Sequence, residues 1–140
     1  MNAEVFLDTN VFVYTFDGGA PPKRDRARAL VRETLEKGNG AINWQVTQEF
    51  LNVALHKFAN PLTAGEASDY VDQVLAPLWK VFPSPELFHE ALRIQSQSQY
   101  RFYDSLIVAS ALQSGASILY SEDLQDGRTF GKMKIVNPFS

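Results

Sequence analysis

The feature that most constrains the fold is a short apolar run near the start of the chain that ends abruptly in polar residues. The run Val5–Leu7 is followed directly by Asp8, Thr9 and Asn10. Three continuous apolar residues are too few for an amphipathic helix and are typical of a central parallel strand buried on both faces. We therefore expect a buried strand that delivers a carboxylate, a hydroxyl and an amide to one edge of a sheet.

The rest of the chain alternates between strand-like and helix-like segments. Further strands are predicted at residues 41–43, 79–82, 118–120 and 133–136, and helices at residues 23–37, 45–58, 63–76, 85–98 and 103–113. The helix that starts at Thr63 opens with a capping box and is expected to end before Pro77. This alternation predicts an α/β domain with a mainly parallel sheet. With 140 residues and 45% apolar content, we expect one domain over residues 1–140.

Composition places some limits on the partners of the chain. Its formal charge of −3 gives no overall attraction for nucleic acid. Setting aside four candidate site acids leaves 12 of the 16 acidic residues against 13 basic ones, a net charge of +1. Six bases crowd one predicted helix and could contact phosphate, although a solvated helix face is the commoner explanation for such a pattern. They are Lys23, Arg24, Arg26, Arg28, Arg32 and Lys37.

The location of the protein can also be predicted from composition. The chain has no cysteine, which excludes disulfides and thiolate metal sites and fits a cytoplasmic protein. Glu4 and the brief apolar run beside it are not typical of a signal peptide. No apolar stretch approaches the roughly 20 residues that a membrane span needs. We expect a soluble cytoplasmic protein with no membrane partner.

Four acidic residues occupy positions that can meet at one edge of the predicted sheet. Asp8 and Asp123 follow the first and fourth strands, and Glu49 and Asp104 are predicted in the first turns of helices that begin at the same edge. In open parallel sheets, ligands bind outside the carboxyl ends of the strands, where the strand order reverses. Ser121, with Thr9 and Asn10, could orient ligands or water around the acids.

Four converging carboxylates would repel one another unless a cation joined them. Mg²⁺ or Mn²⁺ suits such oxygen ligands, whereas the isolated His56 and His89 make a zinc site improbable. Taken singly, each acid also has a structural interpretation. Asp8 and Asp104 could cap helices, Asp123 could serve a turn, and Glu49 could pair with a lysine. Only the combination of all four predicts a carboxylate cage for divalent metal.

Several short motifs in a fixed order resemble those of a known nuclease family. They are residues 6–11 (FLDTNV), 48–50 (QEF), 102–107 (FYDSLI), 119–127 (LYSEDLQDG) and 135–139 (IVNPF). Together they resemble PIN-domain nucleases, and more narrowly the VapC-type toxins of bacterial toxin–antitoxin pairs. Residues 65–85 match this family only in general pattern.

The resemblance implies a three-layer α/β/α fold around a five-stranded parallel sheet. It also implies a metal-dependent endoribonuclease, a homodimer, and a small antitoxin whose C-terminal segment covers the active site. Asp8, Glu49, Asp104 and Asp123 match the four acidic positions of the family, and Thr9 and Ser121 match its accessory polar ones. One or two Mg²⁺ ions would hold the phosphodiester, and the products would carry a 5′-phosphate and a 3′-hydroxyl.

Asp126 is a further acidic candidate near this site, although its place before Gly127 favours a turn role equally. Other enzyme classes fit less well. A haloacid-dehalogenase-like phosphatase needs a second Asp where this chain has Asn10, and no Gly-rich phosphate loop is present. A receiver domain would give Glu49 and Asp104 no role. The remaining alternative is a module of the same fold that binds RNA or protein without cutting it.

Overall fold

The computed structural model describes residues 3–140 and contains a six-stranded sheet between helices. The strand order is β3-β2-β1-β4-β6-β5, and every neighbouring pair is parallel except β5 and β6. The strands are β1 Val5–Leu7, β2 Gly40–Asn43, β3 Trp79–Val81, β4 Ile118–Tyr120, β5 Thr129–Phe130 and β6 Met133–Val136. The predicted α/β fold with a mainly parallel sheet is confirmed.

The sheet has one strand more than the five that were predicted. The additional strand β5 contains only Thr129 and Phe130 and pairs antiparallel with β6 across a turn at Gly131. Two residues are too few to show an alternating pattern, and so the hydrophobic periodicity gave no signal for this strand. The short hairpin forms one edge of the sheet.

Helices connect the parallel strands. They are α1 Thr9–Tyr14, α2 Pro21–Lys37, α3 Trp44–His56, α4 Ala64–Tyr70, α5 Ala76–Leu78, α6 Pro85–Ser98 and α7 Phe102–Gln113. The predicted capping box is present at the start of α4, where Thr63 and Glu66 exchange side-chain and backbone hydrogen bonds. None of the helices in residues 3–140 is long and apolar enough to cross a membrane.

The helical segment that begins at Ala64 continues past Pro77, contrary to the predicted end point. A π-helical turn, Val71–Leu75, joins α4 to α5, and the Ala76 N–H donates to the Val71 carbonyl. A proline inside a regular α-helix lacks its N–H and collides with the carbonyl four residues earlier. The wider turn interrupts the regular hydrogen bonding just before Pro77, and so the chain stays helical through Leu78.

The core is built around the central strands and α7. Phe6 and Leu7 of β1 and Leu119 of β4 are fully buried, as the continuous apolar run predicted. Helix α7 is buried over most of its length, from Ser105 to Ala111. A strand and a helix enclosed in this way hold their ends rigidly, which fixes the position of the polar residues that follow β1 and begin α7.

The carboxyl ends of β1 and β4 form the edge where the candidate site lies. From β1 the chain moves outward through β2 to β3, and then returns to place β4 on the other side of β1. The β1–β4 pair is therefore the point at which the strand order reverses, where α/β sheets bind ligands. Asp8 follows β1 and Ser121 follows β4 at this point.

Candidate active site

Asp8 is the buried centre of the site. Only 8% of its surface is exposed, because β1 brings it directly out of the core. One carboxylate oxygen accepts a hydrogen bond from the Thr9 N–H at 2.8 Å, and the other accepts one from Ser121 Oγ at 2.8 Å. Burial raises the pKa of Asp8 from 3.8 to about 6, although these two hydrogen bonds lower it. The negative charges of Glu49 and Asp123 make smaller contributions that also raise it.

Ser121 connects Asp8 to the loop after β4. Its fully buried hydroxyl donates to Asp8 and accepts from the N–H groups of Asp123 and Leu124, at 3.2 and 3.3 Å. A single side chain thus satisfies two backbone donors and orients a carboxylate. This contact agrees with the orienting role predicted for Ser121.

Asn10 holds the exposed carboxylate of Asp123 beside the buried one. Its amide nitrogen donates to Asp123 Oδ2 at 3.2 Å, and its amide oxygen accepts from the Glu122 N–H at 3.2 Å. The Asn10 side chain therefore joins the first turn of α1 to the loop after β4 through two hydrogen bonds. Asn10 and Ser121 together hold the loop after β4 in place.

A second hydrogen-bond network, centred on Glu122, also holds the loop after β4, and the sequence analysis missed it. Glu122 accepts hydrogen bonds from Tyr14 Oη and Lys23 Nζ, both at 2.6 Å. Burial raises the pKa of Glu122, but these two donors outweigh it, and the net pKa is lowered. Lys23 also lies over the rings of Tyr14 and Phe139. Because Glu122 lies between the two candidate residues Ser121 and Asp123, the sequence could have suggested that it helps to position them.

Asp104 lies half-buried in the first turn of α7, as predicted. Burial raises its pKa, the nearby negative charge of Asp123 raises it further, and the positive charge of Arg101 opposes both effects. The charge of Asp123 thus raises the pKa of both Asp8 and Asp104.

Glu49 lies in the second turn of α3, one turn later than predicted. The helix begins at Trp44, directly after β2, so four residues separate its start from Glu49. The carboxylate is exposed and accepts a hydrogen bond from Gln45 Nε2 at 2.7 Å. Gln45 was missed as well, although its spacing of four residues from Glu49 on a helix predicts their contact. The charge of Glu49 reaches Asp8 and contributes to its raised pKa.

The four acids share one edge of the sheet but do not form a closed cage. Among residues 3–140, no three Asp, Glu, His or Cys side chains are arranged so that they could hold a metal ion. Mg²⁺ commonly takes only one or two protein carboxylates directly and keeps several water ligands. The arrangement therefore fits a hydrated Mg²⁺ or Mn²⁺ better than an ion that is enclosed by protein atoms.

Unpaired oxygen atoms beside the acids support this fit. Thr9 Oγ1, Gln45 Oε1 and Ser105 Oγ are buried and have no hydrogen-bond partner within residues 3–140. Each lies within four positions of one of the acids in the sequence. Buried oxygens without a partner are uncommon, and they offer polar contacts to water or to a ligand. The donor chemistry of the site thus suits a hard, hydrated cation.

Asp126 has a different role from the other candidates. Its Oδ1 accepts a hydrogen bond at 2.8 Å from the N–H of Asn137, just after β6. Gly127, the next residue, has a φ of 85°, which favours glycine in a turn. The structure therefore places Asp126 in a loop contact, in agreement with the turn interpretation.

The basic residues of α2 mostly make contacts within the chain. Lys23 pairs with Glu122, Arg26 donates to the Pro138 carbonyl, and Arg28 donates to the Thr15 carbonyl. Lys37 pairs with Glu33, its neighbour one turn earlier. These contacts give the basic cluster a structural explanation.

A comparison of the sequence with models of known protein families gives a match. Residues 5–128 match the model of the PIN domain. The chain belongs to the PIN-domain family. This PIN domain matches no curated protein by sequence.

Solved structures share the fold of this PIN domain over nearly its whole length. A toxin–antitoxin complex from Klebsiella pneumoniae has a TM-score of 0.69 and 17% identity, covering 97% of this chain and 98% of the other. FitAcB from Neisseria gonorrhoeae has a TM-score of 0.67 and 18% identity, covering 96% and 97%. VapC20 of Mycobacterium tuberculosis, a toxin that cleaves the sarcin–ricin loop, has a TM-score of 0.66 and 14% identity, covering 86% and 90%.

Proposed function

We propose that this chain is a single-domain endoribonuclease that depends on a divalent metal and is the toxin of a type II toxin–antitoxin pair in the cytoplasm. The observation that carries the proposal is Asp8, a buried carboxylate at the point where the strand order reverses. Burying a carboxylate is costly unless a positive charge compensates it. The acids around Asp8 add negative charge, and so a bound cation would stabilise the site.

The residues that would hold Mg²⁺ or Mn²⁺ are Asp8 first, then Asp104, with Asp123 and Glu49 completing the acidic edge. A bound divalent cation supplies charge neutralisation at a phosphodiester and lowers the pKa of water so that it can attack. The protein contributes the positions of its carboxylates. Ser121 and the Thr9 N–H fix both oxygens of Asp8, and Asn10 fixes one oxygen of Asp123. The site therefore needs no covalent nucleophile from the protein.

RNA is the proposed substrate because of the comparison with toxins. VapC20 of Mycobacterium tuberculosis, which shares the fold, cleaves the sarcin–ricin loop, an RNA element. The same comparison supports an antitoxin partner, since the Klebsiella pneumoniae protein was solved as a toxin–antitoxin complex. A homodimer remains a proposal from family resemblance.

Cleavage of total cellular RNA by the purified chain tests the nuclease proposal. We expect discrete cuts with Mg²⁺ or Mn²⁺, none with EDTA and none with the Asp8→Asn variant. Mapping the new 5′ ends identifies the target and should find 5′-phosphates. Absence of cutting by folded, antitoxin-free protein under every metal condition would contradict the proposal.

One observation favours a second function, a PIN-fold module that binds RNA or protein without cutting it. The acids of residues 3–140 do not form a ready-made metal cluster. A calorimetric titration with Mn²⁺ separates the two functions. The nuclease should bind Mn²⁺, and Asp8→Asn and Asp104→Asn should weaken that binding, whereas a binding-only module needs no response to either substitution.

Co-purification tests the toxin proposal separately from the nuclease one. The neighbouring reading frame should encode a small protein that co-purifies with this chain and suppresses its cleavage of RNA. A nuclease that cuts RNA but has no such partner would retain its catalytic assignment and lose its assignment as a toxin.

A further inference from the structure

Tyr103 is an exposed aromatic side chain at the edge of the candidate site. It is 68% exposed, the highest value among the large hydrophobic side chains of residues 3–140 that are exposed. It directly precedes Asp104 in the first turn of α7. An exposed aromatic ring beside an acidic site is available to stack against the ring of a ligand.

The ring is supported on one side by other aromatic rings. Tyr103 meets Phe102 edge to face with ring centres 5.6 Å apart, and Phe102 in turn stacks on Phe88 at 6.3 Å with an angle of 13° between the rings. Aromatic pairs in these arrangements hold each other in place. A ring that is held in place loses little freedom when a second ring stacks on it.

The backbone of Tyr103 is tied to the other side of the site. Its carbonyl accepts a hydrogen bond from Gln45 Nε2 at 3.3 Å, and the same nitrogen donates to Glu49. The backbone of Tyr103 is therefore linked through Gln45 to Glu49, one proposed metal ligand, and Asp104, another, is the next residue in the chain. A base stacked on its ring would be held close to the acids.

A cation that could receive a phosphate lies on the same turn. Arg101 is exposed and makes no ion pair within residues 3–140. It occupies the N-cap position of α7, three residues before Asp104, and makes no side-chain capping bond there. Proteins that bind single-stranded nucleic acid commonly combine exposed guanidinium groups, which contact phosphates, with exposed aromatic rings, on which bases stack.

We propose that Tyr103 and Arg101 form a subsite for one unpaired nucleotide of the RNA, with the base stacked on the Tyr103 ring and its phosphate against Arg101. The proposal rests on the proposed ribonuclease function, and it requires a base that is free to stack, because paired bases in a helix have no free face. A second copy of this chain is the competing occupant. The centres of protein interfaces are depleted in acidic groups, whereas Asp104 directly follows Tyr103 in the chain.

Binding without cleavage tests the subsite. The Asp8→Asn protein in EDTA is titrated into fluorescein-labelled oligouridylate, and fluorescence anisotropy gives the dissociation constant. Replacing Tyr103 by Ala in that protein should weaken binding by roughly 5- to 150-fold, and replacing it by Trp should preserve binding. Replacing Arg101 by Gln should lower the salt dependence by about 0.7 in the slope of log K against log salt.

Two control variants match these changes away from the site. Phe82→Ala removes another exposed aromatic ring, which is 59% exposed, stacks on Trp79 and follows the edge strand β3, two strands away from β1. Lys132→Gln removes an exposed charge at the β5–β6 turn. Because β6 runs parallel to β4, this turn lies at the amino-terminal ends of the strands, opposite to the site. Neither variant should change binding of oligouridylate.

The outcomes separate this proposal from the proposed function. If the wild type cuts RNA but Tyr103→Ala binds oligouridylate as tightly as its parent, the subsite is refuted and the nuclease stands. If Tyr103 governs binding but no RNA is cut with metal, the subsite stands and the nuclease fails. If sedimentation velocity shows that Tyr103→Ala dissociates a dimer, and the affinity loss disappears when only monomers are compared, the ring belongs to an interface between copies and the proposal is overturned.

Discussion

Replacing Asp8 by Asn should stabilise the protein at neutral pH in the absence of metal. Burial raises the pKa of Asp8 from 3.8 to about 6, so the folded state at neutral pH holds an ionised carboxylate at a cost of about 3 kcal/mol. Asn carries no charge and can still accept from the Thr9 N–H. It cannot accept from the Ser121 hydroxyl, which costs about 1 kcal/mol. We expect a net gain of about 2 kcal/mol.

The effect of Asp8→Asn should change sign with pH. The unfolded chain releases the Asp8 proton near pH 3.8 and the folded chain near pH 6. Between these values the folded state binds more protons, so the stability of the wild type falls as pH rises and then levels off above about pH 6. Below about pH 3 both states are protonated, and the lost Ser121 bond alone distinguishes the variant from the wild type. The variant should there be about 1 kcal/mol less stable than the wild type.

Urea unfolding in EDTA, followed by circular dichroism across this pH range, measures the difference. Asp126→Asn is the matched control, because Asp126 lies in a loop contact and its pairing with the Asn137 N–H survives the change. A stability difference for Asp8→Asn that stays constant with pH, or a loss of stability at neutral pH, would refute the reasoning from burial.

Three further predictions concern the same structure. Metal at a hundred times its dissociation constant should stabilise the wild type by about 2.7 kcal/mol, and Asp8→Asn should abolish this shift in a thermal unfolding assay. Ser121→Ala should cost about 1–3 kcal/mol in urea unfolding, because two backbone N–H groups lose their acceptor. Asn43→Ala should cost about 1–2 kcal/mol in the same assay, since Asn43 caps α3 through the Val46 N–H. Unchanged midpoints in these assays would contradict the roles assigned to the three residues.

The buried parts of the fold were the most predictable from sequence. Continuous apolar runs such as Val5–Leu7 occur where a strand is covered on both faces, and the nearly all-apolar α7 similarly predicted a buried helix. Short elements such as β5 carry no such pattern. The continuation of the helix past Pro77 depends on a π-helical turn, which local propensities do not indicate.

The site was predictable in its location and less so in its detail. Asp8 and Ser121 directly follow strands, so the topology alone places them at one edge. Glu49 belongs to a helix whose start was predicted to within one residue, but Glu49 lies in its second turn and not in its first. The separation of the carboxylates depends on side-chain rotamers, and the support from Gln45 and Glu122 depends on contacts between distant segments. No periodic pattern in the sequence reports these features.

The rate of RNA cleavage by matched acid variants tests the central claim most directly. The wild type, Asp8→Asn and Asp126→Asn would be compared on the same RNA with Mg²⁺ and with EDTA, after circular dichroism has confirmed that each is folded. The account predicts that cleavage by the wild type and by Asp126→Asn requires Mg²⁺, and that Asp8→Asn loses at least about a hundredfold in rate, equivalent to about 2.7 kcal/mol. Cleavage by folded Asp8→Asn at the wild-type rate, or cleavage that persists in EDTA, would contradict it.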